Sequence, residues 1–433
     1  MRRFLYISPF FPPMTRVGAL RPLKFARRLP EFGWAPVVLC DLRDHEDCDE
    51  RLAAAVPEST IVIRDYSRHA ALARPRPRAR DSAPSEPSKP SKPGWFSRHA
   101  EDINPLGAHA FGMRHAFVAA RAALEAHPSC EAIMVNADPY AALLVGARLA
   151  RATGLPLIQD LRDPWACCDL RRPLRPAPQR WLVDRVERRA VEAARVVVLN
   201  TETARDDYRR HYADLPADRF ACIRNHADPA LHVDVEFPAF DRFTILFMGN
   251  FRRFVEGTTL VDALARVRAA GLAGHGSDRV QLVVTGSIPA ELRARAEAAG
   301  VADMLVAHRF VPYLEVASLM GRADLLLSFS HPTAQRIPAK IFDYLLSDRP
   351  LLVIADNPEL ARLVERAGGA SVHGLQQVDA IAATIVAELA RGRGRRVERA
   401  EVGVDSVTAS RELAGILDRV TLDRGERHGH SRR

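Results

Sequence analysis

Short apolar runs alternate with longer amphipathic stretches along most of the chain, the pattern of strands and helices in turn. The clearest unit is ADLLLSFSHPTAQRIPAKIFDYLLSDRPLLVIA, beginning at Ala323. An apolar run from Ala323 to Phe329 ends in a polar loop, a helix is predicted to open at Pro338, and a second apolar run follows Pro350. At about 100° per residue, Lys340, Asp343, Tyr344 and Ser347 fall on one face of that helix, and Ile341, Phe342, Leu345 and Leu346 on the other. Two readings stand side by side: an ordinary surface helix, or a ligand-facing one whose first-turn lysine is offset by a bound anion.

The same alternation predicts strands near residues 4–8, 36–40, 60–63, 132–135, 156–160 and 195–199, with helices near 20–29 and 108–126. A second series has strands near 243–248, 280–285, 305–311, 324–329, 351–354 and 370–372. Strands and helices at this spacing make doubly wound parallel sheets, so the fold class is α/β with two Rossmann-like domains. The expected division is 1–225 for the first domain, 226–242 for a linker, 243–407 for the second, and 408–433 for a last amphipathic helix and a frayed basic tail. Residues 65–105, rich in Pro, Ser and Arg, read as a flexible insertion that cannot form a packed core.

Composition narrows the classes. With 433 residues, 47% hydrophobic, the chain has enough apolar surface for two domains and no stretch that spans a bilayer as a helix. The opening MRRFLYISPFFPPM is broken by Pro9, Pro12 and Pro13 and reads as a strand and loop, not a signal peptide. Six cysteines without CxxC pairing fit reduced thiols in a cytoplasmic chain and argue against zinc. A net charge of +9 favours anionic partners, namely nucleotides, phospholipid headgroups or nucleic acid; the last lacks any aromatic-interleaved basic motif. The basic segments are candidates for peripheral contact with the inner membrane surface. Asp47 and Asp49 form a D-x-D pair, read either as a metal site or, in so charged a loop, as solvated; no metal is expected.

Candidate chemistry lies at strand ends, where doubly wound sheets bind ligands. In DLRDPW, Arg162 stands between Asp160 and Asp163, a set that either positions sugar hydroxyls and assists proton transfer or pins the loop as an internal salt bridge. Asn136 ends another strand, and Arg16 and Gly18 lie in the loop after the first; Gly18 permits either close ligand approach or a tight turn. The lone glycine is no GxGxxG fingerprint, and no nicotinamide cofactor is assigned. In the second half, Gly249 and Gly286 close two strands where a backbone can approach a phosphate, and Arg252 and Arg253 follow the first.

Taken in order, SPFFPPMTRVGALRPLKFARRL, DLRDPW, VVLNTE with RNHADP, FTILFMGNF and IPAKIFDYLLSDRPLL resemble the GT-B glycosyltransferases, specifically the family-four-like group. The resemblance covers roughly residues 3 to 420 apart from the insertion. It implies two Rossmann-like domains facing across a cleft, acceptor on the first and nucleotide sugar on the second, with the last helix crossing back to the first domain. It also implies retention of anomeric configuration, a nucleoside diphosphate sugar as co-substrate, a glycan, lipid-linked or small-molecule acceptor, and no cofactor or metal. Asp343 matches the second acidic residue of the family's paired-glutamate motif, which accepts from the donor ribose, and Lys340 lies on the phosphate side. Gln335 stands where the first glutamate is usual, offering a hydrogen bond to a sugar hydroxyl without charge. Asn250 and Glu256 stand at the usual arginine and lysine of the phosphate clamp, so Arg252, Arg253 and Lys340 are expected to supply that charge. Two rivals remain: a GT-B sugar-nucleotide epimerase, and a catalytically silent GT-B scaffold in polysaccharide assembly.

Overall fold

The computed structural model describes residues 1–41, 48–67, 106, 110, 112–137, 139–251, 254–270, 280–330 and 333–430, the side chains of 254–256 and 423–430 excepted. The chain forms two units, Met1–Arg224 with Ser410–Arg433, and Asn225–Ala409.

The first unit runs β1 (Arg2–Ile7), α1 (Val17–Arg28), β2 (Trp34–Cys40), α2 (Glu50–Ala54), β3 (Ile61–Arg64), α3 (Met113–Ala126), β4 (Cys130–Ala137), α4 (Ala141–Thr153), β5 (Leu157–Leu161), α5 (Ala177–Ala193), β6 (Val196–Leu199), α6 (Glu202–His211) and β7 (Phe220–Cys222). Its sheet is parallel, in the order β3-β2-β1-β4-β5-β6-β7, with Leu5 opposite both Val37 and Ile133. The order reverses at β1 and β4, because the chain first winds toward β3 and then returns past its start. Central strands carry Val, Ile and Leu at both alternations and are buried throughout, as a sheet covered on both faces requires. Leu5, Val37, Ile133 and Leu157 share one core with Ala120 of α3, Leu143 of α4 and Val183 of α5.

In the second unit the order is β8 (Phe243–Phe247), α7 (Phe254–Ala269), β9 (Val280–Val284), α8 (Ala290–Ala298), β10 (Leu305–Ala307), α9 (Val316–Met320), β11 (Leu325–Phe329), α10 (Lys340–Leu345), β12 (Leu351–Ile354), α11 (Pro358–Ala367), β13 (Ala370–His373) and α12 (Val378–Ala390). The sheet is again parallel, β10-β9-β8-β11-β12-β13, and reverses between β8 and β11. The two-residue period of the strands divides two cores: Ile245, Phe247 and Leu327 pack into one, Leu246, Val283 and Leu326 into the other. Residues 225–242 lie along this unit, with Ala227 N donating to Val404 O (2.9 Å), Val233 N to Leu314 O (2.7 Å), and Phe237 buried in its core.

A last helix, α13 (Ser406–His430), starts in the second unit and belongs to the first from Ser410. It buries Leu413, Leu417 and Val420. At the amino ends of β1 and β2, Asp418 Oδ1 accepts from Arg2 Nη1 (2.6 Å) and Trp34 Nε1 (3.1 Å), and Thr421 Oγ1 accepts from Arg2 Nη2 (2.6 Å).

Several expectations shift. The helix at Pro338 begins at Lys340, and Pro338 O accepts from Ile341 N as the chain turns in. Its faces divide differently, since Tyr344 is fully buried while Leu346 is 42% exposed. Tyr344 buries its ring and keeps a backbone partner for its hydroxyl, and Leu346 lies past the last helical residue, where the angular phase no longer applies. The expected frayed tail is helical as far as His430.

Candidate functional site

Doubly wound sheets take ligands beyond the carboxyl ends of their strands at the point of reversal, which in the second unit lies between β8 and β11. β8 leads into Met248, Gly249 and Asn250, and Gly249 has φ 137°, a region only glycine enters freely. A Cβ on Gly286, just past β9, would stand 2.5 Å from Gly249 O and 2.4 Å from Asn250 Oδ1. The two strand-end turns therefore touch through a glycine-sized gap. Asn250 Oδ1 joins them further, accepting from Ser287 N (2.8 Å) and Ser287 Oγ (3.1 Å).

α10 grips this turn from the far side of the reversal. Lys340 Nζ donates to Met248 O (2.9 Å), and Met248 N donates to the Tyr344 hydroxyl (3.2 Å). Two side chains one helical turn apart thus hold both polar groups of Met248. The Lys340 ammonium also lies 3.8 Å from the centroid of the Phe247 ring, a cation–π contact, and 3.4 Å from where a Cβ on Gly249 would be.

Asp343, 7% exposed, accepts from the Tyr313 hydroxyl (2.9 Å), and its Oδ1 lies 3.7 Å from His232 Nε2. The His232 ring meets Tyr313 edge-on, 5.4 Å between centroids. Burial, and then the Asp343 carboxylate, push the Tyr313 phenol well above its ordinary value, so it stays protonated and donates. A carboxylate has about four acceptor positions, and the tyrosine uses one. Gln335 is buried at 3% exposure, its N–H on Thr333 Oγ1 (3.1 Å). Asn357 ties that loop down, donating to Thr333 O (2.8 Å) and Arg336 O (3.0 Å) while its Oδ1 caps α11 at Leu360 N.

In the first unit the three charged residues of DLRDPW part company. Asp160 is fully buried and bound to Arg21 of α1, with Nε to Oδ2 at 2.8 Å and Nη2 to Oδ1 at 3.0 Å. Arg21 also donates to Arg224 O (2.9 Å) and Ile223 O (3.0 Å). Burial pulls the guanidinium below its ordinary value, but Asp160 outweighs this and holds Arg21 above it. Arg162 instead lies 3.5 Å from Asp163 Oδ2, and its Nη1 is 3.2 Å from where a Cβ on Gly18 would be. Arg16 is exposed at the start of α1, its guanidinium 5.1 Å from the Phe10 ring, and Asn136 is buried opposite Asp160 in the sheet register.

No protein-family model and no characterised protein matches the sequence. Solved structures do match across nearly the full length: sucrose-phosphate synthase from Thermosynechococcus elongatus (16% identity, 99% of each chain, TM-score 0.60), Anabaena HepE in complex with UDP-glucose (13%, 99% of this chain and 100% of that one, 0.55) and UDP-GlcNAc 2-epimerase from Methanocaldococcus jannaschii (13%, 96% and 99%, 0.52). The chain has the GT-B fold.

Some expectations for this GT-B chain fall outside the described residues: Arg252, Arg253, Asp47, the side chain of Glu256 and nearly all of the 65–105 insertion. Asp49 caps α2, accepting from Arg51 N (3.0 Å), and the Arg51 guanidinium bonded to it holds its carboxyl below the usual value. Among the described residues no three His, Cys, Asp or Glu side chains cluster as metal ligands, and no helix is long and apolar enough to cross a membrane.

Sequence reasoning missed Tyr313 and His232 beside Asp343, Asn357 against the loop of Gln335, and a buried carboxylate behind DLRDPW. Glu187 of α5 accepts from Tyr208 (2.5 Å), Tyr212 (2.7 Å) and Ala166 N (3.3 Å). Burial raises its carboxyl above the usual range in spite of the two phenol hydrogen bonds. In the same loop Trp165 stacks on Tyr140 at 4.7 Å, whose hydroxyl donates to Pro164 O (3.1 Å). The available signal was an acidic residue on the apolar stripe Val183, Glu187, Ala190, Val191 of α5.

Proposed function

We propose that the protein transfers a glycosyl unit from a nucleoside diphosphate sugar to a hydroxyl of a glycan, a lipid-linked carrier or a small molecule. The observation that carries this reading is the reversal point of the second unit, where the turns after β8 and β9 touch through Gly249 and Gly286, and α10 brings the clamped Lys340 ammonium and the Asp343 carboxylate with spare acceptor capacity.

In this reading Asp343 accepts from the ribose hydroxyls, and Lys340 faces the diphosphate, with Arg252 and Arg253 adding charge. Gly249 and Gly286 let backbone N–H groups approach phosphate oxygens. Negative charge builds on the β-phosphate as the glycosidic bond breaks, and cations fixed before the reaction stabilise it without reorganising. The departing phosphate oxygen takes the acceptor proton, the acceptor oxygen bonds the anomeric carbon on the same face, and configuration is retained with no metal required. Arg162, Asp163, Asn136, Arg16 and Gly18 form the acceptor side. Asp160, committed to Arg21, fixes the end of β5 rather than touching substrate, and Gln335 shapes the loop before α10.

A thermal-shift screen against nucleoside diphosphates and their sugars tests this. Ligand at about one hundred times its Kd stabilises by about 2.7 kcal/mol, a shift that Asp343→Ala and Asp343→Asn are expected to remove. A shift unchanged in both variants rules out the ribose assignment, and no shift with any diphosphate favours the scaffold. The second reading, epimerisation of the nucleotide sugar, is supported by the 2-epimerases among the structural relatives. Incubation with donor alone separates the two: an isomerised sugar formed without acceptor means epimerase.

A further inference from the structure

Leu174 is 83% exposed and Trp181, on the first turn and a half of α5, 63%, whereas Trp34 and Trp165 are 0% and 1%. Both exposed side chains belong to DLRRPLRPAPQRWLVDRVERR, the run that starts at Asp169 after DLRDPW. Pro178, Trp181, Arg185 and Arg189 recur at helical spacing on the exposed face of α5, opposite the buried Val183, Glu187 and Ala190. The Arg185 guanidinium lies 5.6 Å from the Trp181 ring.

The outward charge here is basic on balance, with Asp169 the one exposed carboxylate of the run. Asp184 is held by Arg172 at 2.6 and 3.0 Å, and Glu187 is buried among tyrosines, while Arg171, Arg185 and Arg189 are exposed. The protruding turn is also rigidly mounted. Arg172 N donates to Cys168 O (2.8 Å) and Leu174 N to Arg171 O (3.2 Å), while Arg172 Nη1 reaches Ala166 O (3.0 Å) and Arg175 Nη1 reaches Trp165 O (2.8 Å). Exposing a leucine at the tip of an ordered turn leaves apolar surface in water for no gain in folding.

We propose that this turn and the exposed face of α5 dock the first unit on an anionic lipid bilayer. Leu174 and Trp181 enter the boundary between headgroups and acyl chains, where indole rings prefer to lie, and the arginines engage lipid phosphates. The protruding leucine decides between a bilayer and nucleic acid, because an aliphatic side chain offers no face on which a base can stack. The surface is distinct from the reversal point of the second unit and does not depend on the transferase reading. Joined to that reading, it selects a lipid-linked acceptor over a freely diffusing one.

The test is flotation of the full chain with vesicles of phosphatidylcholine alone and of phosphatidylcholine mixed with phosphatidylglycerol. Binding is expected on the mixed vesicles only, with release at high salt. Leu174→Ser combined with Trp181→Ser abolishes it. Arg171→Gln and Arg185→Gln each weaken it about five-fold, the equivalent of about 1 kcal/mol per basic residue at an anionic surface. All four side chains are exposed, so melting temperatures stay at the wild-type value, and the nucleoside diphosphate shift measured on the same variants reports separately on the transferase reading. Failure to float with mixed vesicles, equal flotation with neutral ones, or variants that bind as the wild type does would each overturn the proposal. So would retention on duplex DNA that the same variants lose.

Discussion

Asp160→Asn separates a structural from a catalytic role for the most prominent carboxylate in DLRDPW. The Asp160 and Arg21 side chains are 0% and 3% exposed, and they meet through two hydrogen bonds. At an effective dielectric of about 20, two charges about 4 Å apart attract by about 4 kcal/mol. The asparagine keeps one acceptor but leaves a buried guanidinium without its counter-charge, a change that costs about 3–5 kcal/mol. The second unit, Asn225–Ala409, contains no tryptophan, whereas Trp34, Trp165 and Trp181 lie in the first, so tryptophan fluorescence follows the unfolding of the first unit. With a urea slope of about 2 kcal/mol/M, the midpoint falls by roughly 2 M. Arg21→Met with Asp160→Leu removes both charges together and recovers part of the loss, because the pair's desolvation cost disappears with it. A midpoint that stays in place in Asp160→Asn while turnover disappears would falsify the structural assignment and return Asp160 to the reaction.

Other outcomes follow from the same contacts. Gly286→Ala drives a Cβ against Gly249 O and Asn250 Oδ1 and is expected to destabilise the second unit by about 1–3 kcal/mol, and to abolish the nucleoside diphosphate shift; a variant that melts and responds normally contradicts the contact. Tyr344→Phe removes the acceptor for Met248 N and costs about 1 kcal/mol, read from the melting of the second unit by circular dichroism; an unchanged melt means that hydrogen bond contributes nothing. For Glu187, burial raises the folded pKa above the unfolded one, so folding favours its protonated form. That contribution is present below the ordinary carboxylate pKa of about 4.3 and is lost as pH climbs from there through the raised value, with a slope of at most about 1.4 kcal/mol per pH unit. Glu187→Gln removes that slope from the urea midpoint of the first unit; an identical pH profile in the variant refutes the assignment.

What was legible in the sequence was the periodic part. Runs such as LLLSF and LLVI are buried on both faces, and that alone marks a strand in a covered parallel sheet. β7 escaped notice because three residues at the sheet edge carry too little periodicity to stand out from the polar residues around them. The site was legible one residue at a time and not in its partnerships. Charge spacing in DLRDPW suggests that Arg162 serves both aspartates, yet the cation that reaches Asp160 is Arg21, 139 positions earlier. Tyr313 meets Asp343 across 30 positions and His232 approaches it from another loop, a convergence that local pattern does not encode. Glu187 was hidden for the opposite reason, since an acidic residue within an arginine-rich helix looks like one more surface charge.

The contact of Arg2 with Asp418 spans 416 positions, which imposes an order on synthesis. As the chain leaves the ribosome, β1 and β2 emerge before the second unit and can pair, but the guanidinium of Arg2 and the indole N–H of Trp34 have no Asp418 to meet until the whole second unit has been translated. Domains fold as units during elongation, so the second unit, continuous from Asn225 to Ala409, closes while the first still waits for α13. The nascent protein therefore carries an open seam along these two strands, sealed by residues made after the second unit.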